Sequence, residues 1–253
     1  MCGLVGILLL PQARSSSLWK EIADTFTRCL LFNQERGREA SGVALIYQDG
    51  SHWLLKKPVP AEELVKYSEY YEILSRLCEE AVVLLGHTRE PTKGTPLNNC
   101  NNHPIKIDYV IGVHNGKLEN DDQLFAYFKF PRQGQVDSEI IFWFINNISP
   151  WIYDGNYLSQ LRSYLKLIKG SFTVMAVDLR MPNRFLIVKK DRPLCLHYEP
   201  RWNAIIFSSR YLFLRKAFGR QVISEALDSG FIYLFDAFQL PKLCSKPLKK
   251  INL

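Results

Sequence analysis

The sequence predicts a layered α+β domain in which antiparallel sheets are covered by helices. Three observations lead there. A short buried strand opens the chain, helical segments group in its middle, and closely spaced short strands fill the region after Gly170. The apolar run 3–10 reads as a buried strand stopped by Pro11. Leu18, Ile22, Phe26 and Leu30 recur every four residues and give a helix over 16–34, capped by Ser16 or Ser17. Segments 42–47 and 52–57 flank a Gln-Asp-Gly-Ser turn and read as a hairpin. A helix over 61–78 follows, then buried strands over 81–86 and 108–114 on either side of a turn-rich loop, 89–104. Helices are expected over 137–147 and 156–169. Strands over 171–177, 184–189, 194–197 and 204–207, a helix over 211–217 and a strand over 231–235 complete the series.

At 253 residues the chain fits one large domain, 2–240, followed by a basic tail, 241–253, that reads as a solvated, mobile end. The whole chain carries a net charge of +7, and outside that tail its basic residues are scattered, so no nucleic-acid partner is expected. The cysteines (Cys2, Cys29, Cys78, Cys100, Cys195 and Cys244) show no CxxC spacing, which argues against zinc and against a secreted disulfide framework. A reducing cytoplasm fits best. The apolar run behind Cys2 has no basic segment before it and falls short of the ~20 residues that span a bilayer, so neither a signal peptide nor a membrane partner is expected.

Cys2 itself has three readings: a buried core thiol, a lipid attachment point, or, once Met1 is removed, a first residue carrying both a thiol and a free α-amino group. Four further stretches bear on the choice. Arg36–Gly42 is RGREASG, readable as a helix C-cap running into a strand. Gly86–Pro96 is GHTREPTKGTP, readable as a polar strand end. His114-Asn115-Gly116 is an excellent turn sequence. Asp137, in Val-Asp-Ser-Glu, suits a helix N-cap.

Together and in this order, these stretches resemble the class II glutamine amidotransferase family, whose glutaminase domain belongs to the N-terminal-nucleophile hydrolases. The likeness is greatest to the glutaminase half of glucosamine-6-phosphate synthase and covers roughly residues 2 to 220. MCGLVG matches the family's opening MCGIVG, and Asn101-Asn102-His103-Pro104, residues 168–178 (IKGSFTVMAVD) and Phe207-Ser208-Ser209 match later motifs. The resemblance implies a four-layer αββα sandwich of two antiparallel sheets and a glutaminase domain over 2–240. It implies hydrolysis of the side-chain amide of L-glutamine through a Cys2 thioester, with no cofactor and no metal.

The residue types suit that reaction. A cysteine thiol, pKa ~8.5, needs a base, and an α-amino group, pKa ~7.7–8.0, titrates close to working pH. Asn115 can offer its side-chain NH₂, and Gly116 its backbone N–H, to the oxyanion. His114 is expected to satisfy a local hydrogen bond rather than to act in catalysis. The guanidinium of Arg89 suits the glutamine carboxylate, bidentately, with Thr92 adding a hydroxyl; Asp137 suits the ammonium. Arg36 is carried over from the family as a residue that orders the loops around the nucleophile. The chain departs from the synthases at Glu90-Pro91, where they have Trp-Ala, and at Lys93, commonly His or Gln. In the synthases these positions lie in the loop that closes over glutamine.

No P-loop or dinucleotide fingerprint is present, and the sequence ends soon after the matching region, so the expectation is either a stand-alone glutaminase domain that releases ammonia or an ammonia-supplying subunit whose acceptor sits on a separate synthase protein. Two other readings stay open: an N-terminal-nucleophile amidohydrolase acting on another amide, and a non-catalytic glutamine-binding or assembly module that keeps Met1.

Overall fold

A computed structural model describes residues 1–150 and 156–253. In chain order it contains β1 (Gly3–Leu9), α1 (Ser16–Asn33), β2 (Ala40–Tyr47), β3 (His52–Lys57), α2 (Ala61–Leu64), α3 (Ser68–Ser75), β4 (Ala81–Arg89), β5 (Ile105–Ile107) and β6 (Val110–Leu118). Then come α4 (Asp121–Phe128), α5 (Glu139–Asn146), α6 (Tyr157–Leu165), β7 (Gly170–Asp178), β8 (Arg184–Lys190), β9 (Cys195–Glu199) and β10 (Ala204–Ser208). The chain finishes with α7 (Tyr211–Phe218), β11 (Glu225–Ala226), β12 (Phe231–Asp236), α8 (Leu240–Leu243) and β13 (Lys249–Asn252).

Among the described residues the strands form a seven-stranded sheet, in the order β11-β9-β10-β1-β4-β2-β3, and a six-stranded sheet, β13-β12-β8-β7-β6-β5. Their ladders are antiparallel throughout. Side chains alternate across each strand, and the apolar clusters follow that alternation. On β1, Val5, Ile7 and Leu9 pack outward against α1, α3 and α7, while Leu4 and Leu8 pack inward against the second sheet. On β7, Met175 and Val177 face inward, whereas Val174 and Ala176 pack outward against α5 and α6. Three apolar interlayers therefore hold four layers, helices–sheet–sheet–helices. The sheets approach closely at Gly6, where an added Cβ would sit 3.2 Å from Met175. No helix among the described residues is long and apolar enough to cross a membrane.

Several elements differ from the sequence expectation. Ser15, not Ser16 or Ser17, caps α1: its extended backbone brings Oγ within 3.3 Å of the Leu18 N–H, which donates to it. The expected helix over 61–78 is two short helices, because Tyr67 adopts an extended conformation between them (φ −72°, ψ 141°). The segment His114-Asn115-Gly116 is not a turn. It lies inside β6, with Asn115 opposite Thr173 and Gly116 opposite Phe172 on β7. Strand β4 runs on through His87, Thr88 and Arg89, which puts Arg89 at the end of a strand rather than in a loop. Strands β5 and β11 and helices α4 and α8 have no counterpart in the sequence reading.

The segment read as a loose tail is also partly ordered. Within it, β13 pairs along β12, Ile251 packs against the core beneath the second sheet, and the Lys250 ammonium meets Asp228 at 2.7 Å and lies 4.0 Å over the Phe231 ring. If this edge strand contributes to stability, Ile251→Ala will cost about 1 kcal/mol and lower Tm by about 2–4 °C in calorimetry. An unchanged Tm would mean that the segment behaves as a loose tail.

Candidate active site

Cys2 precedes β1, and the β1–β4 register (Gly3 opposite Thr88, Leu4 opposite His87) carries it, one residue further, opposite Arg89. The approach is too close for a side chain at position 3. A Cβ on Gly3 would lie 2.4 Å from Thr88 Oγ1 and 2.5 Å from the Asn33 carbonyl oxygen. Arg36, in the single 3₁₀ turn that follows α1, donates from Nε to the Cys2 carbonyl at 2.8 Å. Cys2 is partly exposed as a residue, and its sulfur lies 3.5 Å from the Glu90 carbonyl, as donor. Burial of the sulfur raises the thiol pKa, and Asp137 adds to the rise. The Glu90 contact, the amino terminus and Arg89 work the other way without cancelling it. The thiol is therefore held protonated, and a proton acceptor is needed to make a nucleophile of it.

From the second sheet, β6 brings Asn115 and Gly116. Asn115 is 1 % exposed, and neither its amide nitrogen nor its amide oxygen has a hydrogen-bond partner among the described residues. Leaving such a group unpaired costs about 1–3 kcal/mol, so the amide is a donor and acceptor available to a bound group. Gly116 has φ +150°, and a Cβ there would lie 2.2 Å from the Ser171 carbonyl, so only glycine fits.

Asp137 is buried, but it does not cap α5. Its Oδ2 accepts the Leu118 N–H at 2.7 Å, tying the α5 approach to the end of β6, and Ser138 holds the N-cap position instead. With Thr92, Lys93 and Lys117, Asp137 lines a cavity of about 270 Å³. Arg89 is 3 % exposed and feels both Cys2 and Asp137 electrostatically. Its fork is occupied, in contrast to the bidentate role expected from sequence. Nη1 donates to Asn102 Oδ1 at 2.9 Å, and Nη2 donates to the Lys93 and Gly94 carbonyls at 2.7 and 2.8 Å. The hydrogens left, on Nε and Nη1, lie on different edges of the guanidinium, so a two-point carboxylate contact requires release of the loop carbonyls. Lys93, in turn, donates to Asp121 and Asp122 at 2.7 and 2.8 Å on α4, and both acids also pair with Arg132.

Sequence reasoning missed the polar floor beneath this site. Three buried histidines stack there: His87 and His103 have ring centroids 4.4 Å apart, and His103 and His114 6.2 Å. His87 Nε2 bonds the His114 carbonyl at 2.9 Å, and His103 Nε2 bonds Ser138 Oγ at 3.0 Å. Each lay inside a motif already singled out, but nothing local shows that three separate segments converge. Ser209 was noticed only as part of a serine-rich turn. Its Oγ accepts the Leu4 N–H at 2.8 Å and fixes the start of β1.

Burial lowers the pKa of all three histidines, that of His87 from 6.5 to about 3. The unfolded chain takes up these protons near pH 6.5 and the folded chain does not, so stability is complete above that pH and falls as pH drops below it. The expected slope is up to about 1.4 kcal/mol per pH unit for each histidine. Urea midpoints between pH 7.5 and 5 should fall accordingly, and less steeply in His87→Gln; a flat profile would mean that the histidines are not buried neutral.

No family model matches the chain. The 7-cyano-7-deazaguanine synthase of Sulfolobus acidocaldarius is 28% identical over 214 residues, 83% of this chain and 43% of that protein. The isomerizing glutamine–fructose-6-phosphate aminotransferase of Clostridium acetobutylicum is 28% identical over 209 residues, 81% of this chain and 31% of that protein. In both, the matched region is less than half of the relative. Among solved structures, the glutamine phosphoribosylpyrophosphate amidotransferase from B. subtilis, complexed with ADP and GMP, superposes with a TM-score of 0.71 at 17% identity. That match covers 99% of this chain and 49% of the other.

Proposed function

We propose that this chain, a homologue of the class II glutamine amidotransferases, hydrolyses the side-chain amide of L-glutamine to glutamate and ammonia through a thioester on Cys2. The observation that carries the reading is Asn115, a buried primary amide without a hydrogen-bond partner among the described residues, on the strand whose end is tied to Asp137. A developing oxyanion would complete its hydrogen bonding, and the Gly116 N–H is the second donor.

Removal of Met1 frees the α-amino group of Cys2, which takes the thiol proton. The thiolate attacks the amide carbon, and the oxyanion rests on Asn115 Nδ2 and the Gly116 N–H. The C–N bond breaks, and the amino group returns its proton to the departing ammonia. A water, deprotonated by the same amine, then attacks the thioester; the C–S bond breaks, the amine returns its proton to the departing sulfur, and glutamate leaves. Asp137 pairs with the substrate ammonium. Thr92 and one N–H of Arg89 meet its carboxylate while the other Arg89 hydrogens keep the loop in place. Arg36 fixes the Cys2 carbonyl and so aims the thiol. The ammonia is passed to an acceptor held by a synthase domain or protein, in a reducing cytoplasm.

Intact-mass analysis should show loss of one methionine, and an active enzyme that retains Met1 would overturn the amine's role. Cys2→Ala should abolish glutamate release, and 6-diazo-5-oxonorleucine should label Cys2 alone; labelling at another cysteine would reject the nucleophile.

The two binding roles separate kinetically. Asn115→Ala should lower kcat by about 10²–10³-fold with little change in KM, because the oxyanion exists only on the reaction path. Arg89→Lys should act mainly on KM, since it loses the loop bonds and one substrate contact. The same signature for both would mean that the roles are misassigned.

A further inference from the structure

A second cavity, of about 730 Å³, opens at the rim between the two sheets, walled by the ends of β8 and β9, the approach to α7, and β11. It is separate from the Cys2 site but adjoins it through Ser209, whose backbone N–H and Oγ both bond Leu4 on β1. Nothing in the glutaminase reading uses it.

Its most unusual wall residue is Lys189. The side chain belongs to a residue 8 % exposed, and its ammonium makes no hydrogen bond or ion pair among the described residues. The acids that attract it, Asp191 and Asp228, are committed elsewhere: Asp228 to Lys250 at 2.7 Å, and Asp191 to the Ser229 hydroxyl at 3.0 Å. The Lys189 stem is packed away while its ammonium stays accessible to the cavity, and no described carboxylate pairs with it, which leaves it available to an anionic ligand.

The other charged wall residue, Arg210, has the same sign. It is exposed, and its one contact of note is with the Phe213 ring, 5.6 Å away. Burial and the like charges of Arg210 and Arg192 together lower the pKa of Arg36, so the rim on this side carries a concentrated positive field. The Ser209 and Ser224 hydroxyls add donors, and no carboxylate lines the cavity. Leu194 and Leu227, both buried, and the exposed ring of Tyr211 supply an apolar wall.

We propose that this cavity binds a small organic anion, an apolar body carrying a phosphate or a carboxylate, with Lys189 and Arg210 as its charge partners. Lys189 meets the anionic head from the β8 wall through a charge-assisted hydrogen bond; Arg210 closes over it from the rim, and the apolar wall takes the body.

Isothermal titration of the full chain with phenyl phosphate, benzoate and the neutral control phenol tests this without reference to glutamine. Saturable binding is expected for at least one anion, with phenol roughly tenfold weaker or worse. The tighter of the two anions tells phosphate from carboxylate. Lys189→Met should weaken the bound anion roughly tenfold, and Arg210→Gln, at an exposed position that does not threaten folding, by several-fold. Absence of binding by either anion, equal binding of phenol, or anion affinity unchanged in Arg210→Gln and in folded Lys189→Met would overturn the proposal.

Discussion

The site depends on one close contact, the absence of a side chain at Gly3. There the first residue of β1 lies against Thr88 of β4 and the last carbonyl of α1, at a distance that excludes even a methyl group. Around it a short polar chain locks three elements together. Thr88 Oγ1 donates to the Asn33 carbonyl at 2.8 Å, Asn33 Nδ2 donates to Ser208 Oγ at 3.0 Å, and Ser209 Oγ accepts from Leu4 at 2.8 Å. A residue next to a chain terminus normally frays. Here β1 is central in its sheet, fully buried, and pinned on both sides, so the sulfur one residue earlier inherits the rigidity of the core.

Electrostatics then follow from where that rigid end points. The thiol lies within the field of Arg89, which favours its ionisation, and of Asp137, which opposes it, while burial opposes it most. The histidines beneath are kept neutral by burial, so they contribute hydrogen bonds without adding positive charge next to Arg89. A proton acceptor for the thiol must come from elsewhere. Among groups so placed, an amine on the same residue needs no further positioning.

Much of this was legible in the sequence, and the misses share a physical cause. Strand β1 shows as a continuous apolar run, the β2–β3 hairpin as two short strands flanking a turn, and α1 as a four-residue apolar period. Local propensity failed where long-range pairing decided. Asn-Gly favours a turn, yet β7 runs alongside it and Gly116 takes φ +150° within the ladder. Lys-rich residues 249–252 look solvated because an edge strand carries such charges on its open side. The candidate residues were found by motif. Their joint location was not, since Cys2, Arg89 and Asp137 lie on different elements and only the tertiary packing brings them within one another's field.

The departure at Glu90-Pro91-Thr92-Lys93 acquires a physical account from the loop's own bonds. In place of an aromatic lid residue, this loop is held by charge. Arg89 grips two of its carbonyls from below, and Lys93 reaches α4, where Asp121 and Asp122 are shared with Arg132. Isolated surface pairs contribute little, typically ~0.2–1 kcal/mol, but Asp121 is 4 % exposed and faces two cations at once. Such a network fixes the loop before any ligand arrives, whereas an aromatic lid gains most of its contact area on closing. The loop over the 270 Å³ cavity is thus preorganised, and the ordering cost that a mobile lid would add to binding is met during folding.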